Sequence, residues 1–301
     1  MKIYINNANE NWIVDRLKEQ WYQYFPDTIP KDLNDLDVFW LLAPWQWREL
    51  ESVLETKVVV CTIHHVDENK FNEQEFKQRD KYVDYYHVPN KFTHEFIADY
   101  TKKPIVQIGY WFVSDIWYND EKDYRGQFDL KENDYVIGSF QRDTEGHDLK
   151  SPKLCKGPDV FCDYVEAIKK IPNLVVLLGG WRRQYVIKRL TDAGIDFRYK
   201  ELPDQETIRR MYQCCNLYVV GSRTEGGPQA LFEASNMKIP IISTDCGMAS
   251  QVLSEKCIFD MGVNNKYWPS QEDIEFNFNN VKQFDIKDHG ENYIHFFEEI
   301  T

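Results

Sequence analysis

No stretch of this chain approaches the ~18 consecutive apolar residues that a membrane-crossing helix needs, and Met1-Lys2 runs straight into Ile3-Tyr4-Ile5. Neither a signal peptide nor a membrane span is visible, which points to a cytoplasmic protein, with peripheral membrane contact left open. Basic charge is also scarce: 36 Lys and Arg against 49 Asp and Glu give a formal net charge of −13. That balance argues against nucleic acid as a partner. The basic cluster Arg182, Arg183, Lys188 and Arg189 reads as a solvated helix face. Seven cysteines, an odd number without regular spacing, exclude a disulfide framework. Cys214 and Cys215 read as small core residues in a reducing compartment. Zinc-type Cys/His spacing, a G-x-S-x-G elbow, solenoid repeats and low-complexity tracts are all missing.

What is present is a globular composition, 43% hydrophobic and 28% charged, in 301 residues, enough for two domains. Over 1–117, apolar runs suited to strands (Ile3–Ile5, Val38–Leu42, Val58–Ile63, Val83–Val88, Ile105–Ile108) alternate with helical spacing at Glu10–Tyr24, Trp45–Leu54 and Asn90–Tyr100. Residues 118–134 are polar and charged, as in a linker. From Tyr135 the alternation restarts, with strands expected at Tyr135–Phe140, Leu174–Leu178, Leu217–Val220, Ile239–Ser243 and Cys257–Phe259. Helices are expected at Asp159–Ile171, Arg183–Ala193, Gln205–Cys214 and Pro228–Ser235. The pattern predicts an α/β protein with two doubly wound domains, 1–117 and 135–272. A tail, 273–301, carries a helix at His289–Ile300 that can pack back on the first domain; Asn264 to Asn280 shows no strong period.

The most informative stretch is 216–247, NLYVVGSRTEGGPQALFEASNMKIPIISTDCG. A buried strand ends at Val220, and Gly226-Gly227 let backbone approach a ligand closely. Pro228 fits a first helical position, and the N–H groups of Gln229 and Ala230 make an anion site. Glu225 and Glu233 flank this site, so an anionic, hydroxyl-rich ligand fits it. Arg142 follows one strand and Lys156 precedes a helix. His64 and His65 follow another strand at its carboxyl end, where ligands sit in open α/β sheets. Asp35-Leu36-Asp37 precedes a strand and reads as a turn. Most tryptophans, including Trp12, read as core, with Tyr110-Trp111 and Trp117 the candidates for lining a cleft.

The run Glu225-Gly-Gly-Pro-Gln-Ala-Leu-Phe-Glu233 resembles the E-x7-E signature of retaining glycosyltransferases of family 4, which have the GT-B fold of two facing Rossmann-like domains. GSFQRDTEG (138–146), PKLCKGPDVF (152–161), LLGG (177–180) and IPIISTDCG (239–247) agree with it in order and spacing. The match covers nearly all of 135–256; over 1–117 it rests on topology and on CTIHH (61–65). Where the family has a glycine-rich first turn, this chain has Asn6-Asn7-Ala8-Asn9.

The resemblance implies a UDP- or GDP-linked sugar donor held mostly by the C-terminal domain. It implies an acceptor on the N-terminal domain, a glycan or lipid-linked hydroxyl as in polysaccharide biosynthesis. It also implies retention of anomeric configuration by a front-face mechanism, with no cofactor and no essential metal. Arg142 and Lys156 would reach the diphosphate, with Lys153 a further candidate. Glu225 would contact the donor sugar and Glu233 the ribose, beside Gly226, Gly227, Pro228, Gln229 and Ala230. His64, or alternatively His65, would face the donor sugar. Two rival readings stay open: an inactive sugar-nucleotide-binding subunit, and a transferase acting on modified DNA bases.

Overall fold

The computed structural model describes residues 1–10, 13–32, 34–52, 57–262 and 267–301. Trp12 and the Val53-Leu54 end of an expected helix lie outside the described residues, as does Asn264. The chain divides into two compact units. Unit 1 joins Met1–Val113 to Gln283–Thr301, and unit 2 is Ser114–Lys282.

Unit 1 contains β1 (Ile3–Ile5), α1 (Ile13–Tyr24), β2 (Val38–Leu41), β3 (Val58–Thr62), α2 (Glu73–Asp80), β4 (Tyr85–Val88), α3 (Lys91–Ala98) and β5 (Ile105–Gln107). The five strands pair in parallel in the order β1-β2-β3-β4-β5. All four residues of β2 are buried, as a strand covered on both faces requires. Phe39 and Leu41 join a core cluster with Trp47, Leu50, Phe76 and Ile97. Between them, Trp40 points the other way and meets Trp21 edge-on. Residues 44–52, expected as α-helix, form a 3-10 segment with a break at Gln46. Its three-residue period puts Trp47 and Leu50 on one buried face. The α2 helix buries Phe76 alone and so shows no apolar stripe; it begins where the Asn72 side chain accepts from Glu75 N–H at 3.1 Å.

Unit 2 contains β6 (Tyr135–Phe140), α4 (Pro158–Ala167), β7 (Leu174–Gly179), α5 (Gln184–Ala193), β8 (Asp196–Lys200), α6 (Gln205–Gln213), β9 (Leu217–Val220), α7 (Gln229–Asn236), β10 (Ile241–Ser243), α8 (Ala249–Val252) and α9 (Gln271–Val281). Its parallel sheet runs β10-β9-β6-β7-β8. The stripe expected on α4 is buried as Val160, Phe161, Tyr164, Val165 and Ile168, against Val176 and Leu178 of β7. The strand expected at Cys257–Phe259 is instead a 3-10 turn, Glu255–Cys257, with one bridge from Ile258 to Ser243. Residues 118–134 lie within unit 2. Arg125 donates from Nη1 to Asp134 O (2.8 Å) and from Nη2 to Asn216 Oδ1 (3.0 Å). Buried Arg209 donates to Tyr118 O at 3.1 Å, with its guanidinium 4.3 Å from the Tyr118 ring centroid.

The last helix, α10 (Ile286–Ile300), belongs to unit 1. Its Tyr293 and Phe297 pack on Trp21 and Trp40, and Tyr293 Oη donates to Gly109 O at 2.9 Å. Among the described residues no helix is long and apolar enough to cross a membrane.

Candidate active site

In unit 2 the strand order reverses at β6, which lies between β9 and β7. Crossovers leave such a point in opposite directions and open a crevice at the strands' carboxyl ends. Three segments meet there: 141–157 after β6, 180–183 after β7 and 221–228 after β9. Gly157 and Gly221 let two of them cross in contact. Gly157 has a left-handed φ of 54°, and a Cβ on it would run into the Gly221 carbonyl. The crossing is tied by Arg223 N–H and Thr224 N–H, which donate to Cys155 O at 2.8 and 3.1 Å.

Lys156, next to the crossing, meets Glu225. Its Nζ lies 2.6 Å from both carboxylate oxygens, and Ser222 Oγ donates to Oε1 at 2.9 Å. Ser222 is held in turn by the Thr244 hydroxyl on its carbonyl. Glu225 is buried and Lys156 half-buried. Gly247, with φ 57°, lets the turn after β10 close on Gly226, whose carbonyl would sit 2.7 Å from an added Cβ. Pro228 is the residue before α7, with φ −56° and ψ 120°, rather than its first member. The helix starts one residue later than expected, and Gln229 and Ala230 are its first two residues. Glu233, also buried, accepts from the Tyr212 hydroxyl at 2.9 Å. Burial, then Tyr218 and Glu233, raise the Tyr212 phenol well above its usual range and keep it a donor.

Arg142 donates from Nε to Thr144 O at 2.8 Å, with its guanidinium 5.4 Å from the Trp181 ring centroid. Lys153 is influenced by the same charges. Burial lowers the pKa of its ammonium, and Lys156 and Arg142 push the same way against Glu225. Arg142, Lys153, Lys156 and Glu225 thus form one electrostatic group with a surplus of positive charge. Arg183 is not on a solvated face. It is buried, donating from Nε to Asp143 Oδ2 (2.9 Å) and from Nη1 to Gly179 O (2.8 Å). Arg189 pairs with Glu166 and Lys188 with Asp192.

In unit 1, His64 lies just beyond β3. Its Nε2 donates to Leu42 O at 2.7 Å, and its Nδ1 accepts from the Tyr110 hydroxyl. Burial pushes its pKa down to about 4, so the ring is neutral and both nitrogens bond within the unit. His65 is exposed. Tyr110, Trp111 and Trp117 are buried. The turn after β1 wraps the Asp15 carboxylate, which accepts from the N–H groups of Ala8, Asn9 and Glu10 at 3.1, 3.2 and 2.8 Å. A carboxylate of the chain thus fills the backbone cradle of a first βα turn. Asp35 and Asp37 lie in the turn before β2, where Asp37 accepts from Lys2 N–H at 2.7 Å. Among the described residues no three or more His, Cys, Asp or Glu side chains are grouped to hold a metal ion.

Sequence reasoning missed Ser222, Tyr212, Gly221 and Trp181. Gly221-Ser222 directly after an apolar strand was a usable signal; Tyr212, in the last turn of α6, offered none.

Residues 151–265 match the family described as glycosyl transferases group 1. That segment contains Lys153, Lys156, Glu225 and Glu233; Arg142 lies outside it. No curated protein sequence matches the chain. Among solved structures, HepE of Anabaena, in complex with UDP and glucose, superposes with a TM-score of 0.80 at 13% identity, covering 99% of this chain and 100% of that one. Sucrose-phosphate synthase of Thermosynechococcus elongatus gives 0.70 at 14% identity, covering 98% and 80%. A glycosyltransferase from Rickettsia africae gives 0.66 at 15% identity, covering 98% and 83%. The chain therefore has the GT-B fold, and the family match within unit 2 supports a glycosyltransferase.

Proposed function

We propose that the protein is a retaining glycosyltransferase of family 4 type. It moves a hexose from a UDP- or GDP-linked donor to a hydroxyl of a glycan or lipid-linked acceptor, without a metal. The observation that carries this reading is the Lys156–Glu225 pair, at 2.6 Å, at the reversal point of the unit 2 sheet. Departure of a nucleoside diphosphate builds negative charge that fixed cations must stabilise. Arg142 suits this through its planar fork, and Lys156 and Lys153 as point charges. Glu225, beside Lys156, supplies the negative charge that an oxocarbenium-like sugar needs. Glu233 accepts hydrogen bonds from ribose hydroxyls, its side chain aimed by Tyr212. In a front-face reaction the departing phosphate oxygen takes the acceptor proton, so no separate base is required. The HepE structures, which hold UDP, UDP-glucose, or UDP with glucose, support a nucleotide-sugar donor.

The test is turnover of the purified chain with a panel of UDP- and GDP-sugars, reading nucleotide release with and without glycan acceptors. Lys156→Ala and Glu225→Ala should each lower turnover at least a hundredfold, on the scale of losing one charge-stabilising group. Unchanged turnover in both variants sinks the assignment, and an anomerically inverted product sinks retention.

A further inference from the structure

We infer that Trp181 is a positioning residue for donor binding: its indole face holds the Arg142 guanidinium where it meets the diphosphate. This rests on the donor reading above and adds to it a residue outside the E-x7-E signature.

Trp181 stands in the loop after β7, 46% exposed, with the Arg142 guanidinium 5.4 Å and the Arg182 guanidinium 5.2 Å from its ring centroid. Such contacts are the electrostatic attraction of a cation for the negative face of an aromatic ring. The loop is bent to make them. Gly180 has φ 101° and Arg182 has φ 59°, so Trp181 sits between two left-handed residues. An L side chain adopts that conformation only when its surroundings impose it. Here they do. The Arg182 carbonyl accepts from Asp143 N–H at 3.3 Å and from Thr144 Oγ1 at 3.1 Å, both in the Arg142 loop. Gly180 is tied on its other side, its N–H to Lys200 O at 3.2 Å and its carbonyl to Tyr199 Oη at 3.0 Å.

Beneath both loops lies the buried Arg183–Asp143 pair. Arg183 also bonds Ser139 and Gly179 at the carboxyl ends of β6 and β7. The residue after Arg142 and the second residue after Trp181 are thus locked to each other. Arg142 itself is anchored by Nε to Thr144 O. A long side chain that would otherwise sample many rotamers is held at its guanidinium twice, by a hydrogen bond from Nε and by the face of a ring. That preorganisation lowers the ordering cost of meeting a diphosphate.

The experiment is isothermal titration of the full chain with UDP, GDP and ADP, the tightest binder serving as probe. Trp181→Ala should weaken the probe roughly two- to fivefold, the scale of an exposed cation–π contact. Trp181→Phe should recover most of the loss, and Trp181→Leu, of similar bulk without the ring, should not. The double variant Arg142→Ala/Trp181→Ala should bind as Arg142→Ala alone. A Trp181 effect that persists without Arg142, or Trp181→Leu binding like the wild type, overturns the inference. Wild-type binding by Arg142→Ala, or no binding of any nucleotide, overturns the donor reading instead.

Discussion

Removing either member of the Lys156–Glu225 pair deletes the same contact, yet the two losses should differ. The Glu225 side chain is 8% exposed and that of Lys156 24%. Lys156→Ala leaves a carboxylate almost wholly out of water, with Ser222 Oγ at 2.9 Å among its remaining partners. Stranding a buried charge costs about 3 kcal/mol or more. Glu225→Ala instead leaves an ammonium on a four-carbon stem that can turn towards water, at a cost of about 1 kcal/mol. For a domain of this size each kcal/mol moves the unfolding midpoint by ~2–4 °C. Lys156→Ala should therefore lower it by ~6–12 °C and Glu225→Ala by ~2–4 °C. The double variant, having no stranded charge, should be more stable than Lys156→Ala. Thermal unfolding followed by circular dichroism on the four proteins reads this directly. Equal losses in the two single variants, or additive losses in the double, would refute the burial argument.

Gly157→Ala forces a Cβ into the Gly221 carbonyl at a left-handed φ; we expect a loss of at least ~2 kcal/mol in urea unfolding, with nucleotide binding lost as well. Tyr212→Phe removes the donor to Glu233 and should cost about 1–2 kcal/mol, read by the same assay, with a volume so nearly kept that packing is undisturbed. Burial holds His64 and His87 down at about 4 and about 3, against 6.5 when exposed. Between those values the unfolded chain binds more protons, so stability falls as pH drops below ~6.5, by up to about 1.4 kcal/mol per pH unit for each ring. Urea titrations from pH 7 to 5 should show this slope, and His87→Gln should reduce it; a flat profile in the wild type contradicts the burial of these rings.

Strands covered on both faces were legible because apolar residues dominate them: Tyr135–Phe140 and Leu217–Val220 have the bounds their apolar runs suggest. The edge strand β8 was not, because Asp-Phe-Arg-Tyr-Lys is half-exposed and offers no run. The α9 helix was hidden for a related reason. Its buried positions include Asp273 and Asn277, which are satisfied by Ser254 Oγ at 2.7 Å and Ser254 N–H at 2.7 Å, so it shows no apolar period. At the candidate site, Lys156 and Glu225 stood out as charges next to glycines, and Glu233 by its spacing from Glu225. What connects them did not. Tyr212, which bonds Glu233, and the Arg183–Asp143 pair act through contacts between residues far apart in sequence, and a buried arginine looks like any surface cation until its partners are known.

Unit 1 is built from two stretches of chain separated by the whole of unit 2. Trp21 and Trp40 receive Tyr293 and Phe297 only from the far stretch. On the ribosome, then, the order of completion is inverted. Unit 2 can close once residue 282 has emerged, while the sheet of unit 1, made earlier, waits with a tryptophan-rich face unclosed until α10 arrives. That interval exposes the chain to self-association and to chaperones. Slowing translation after residue 282 should lengthen it.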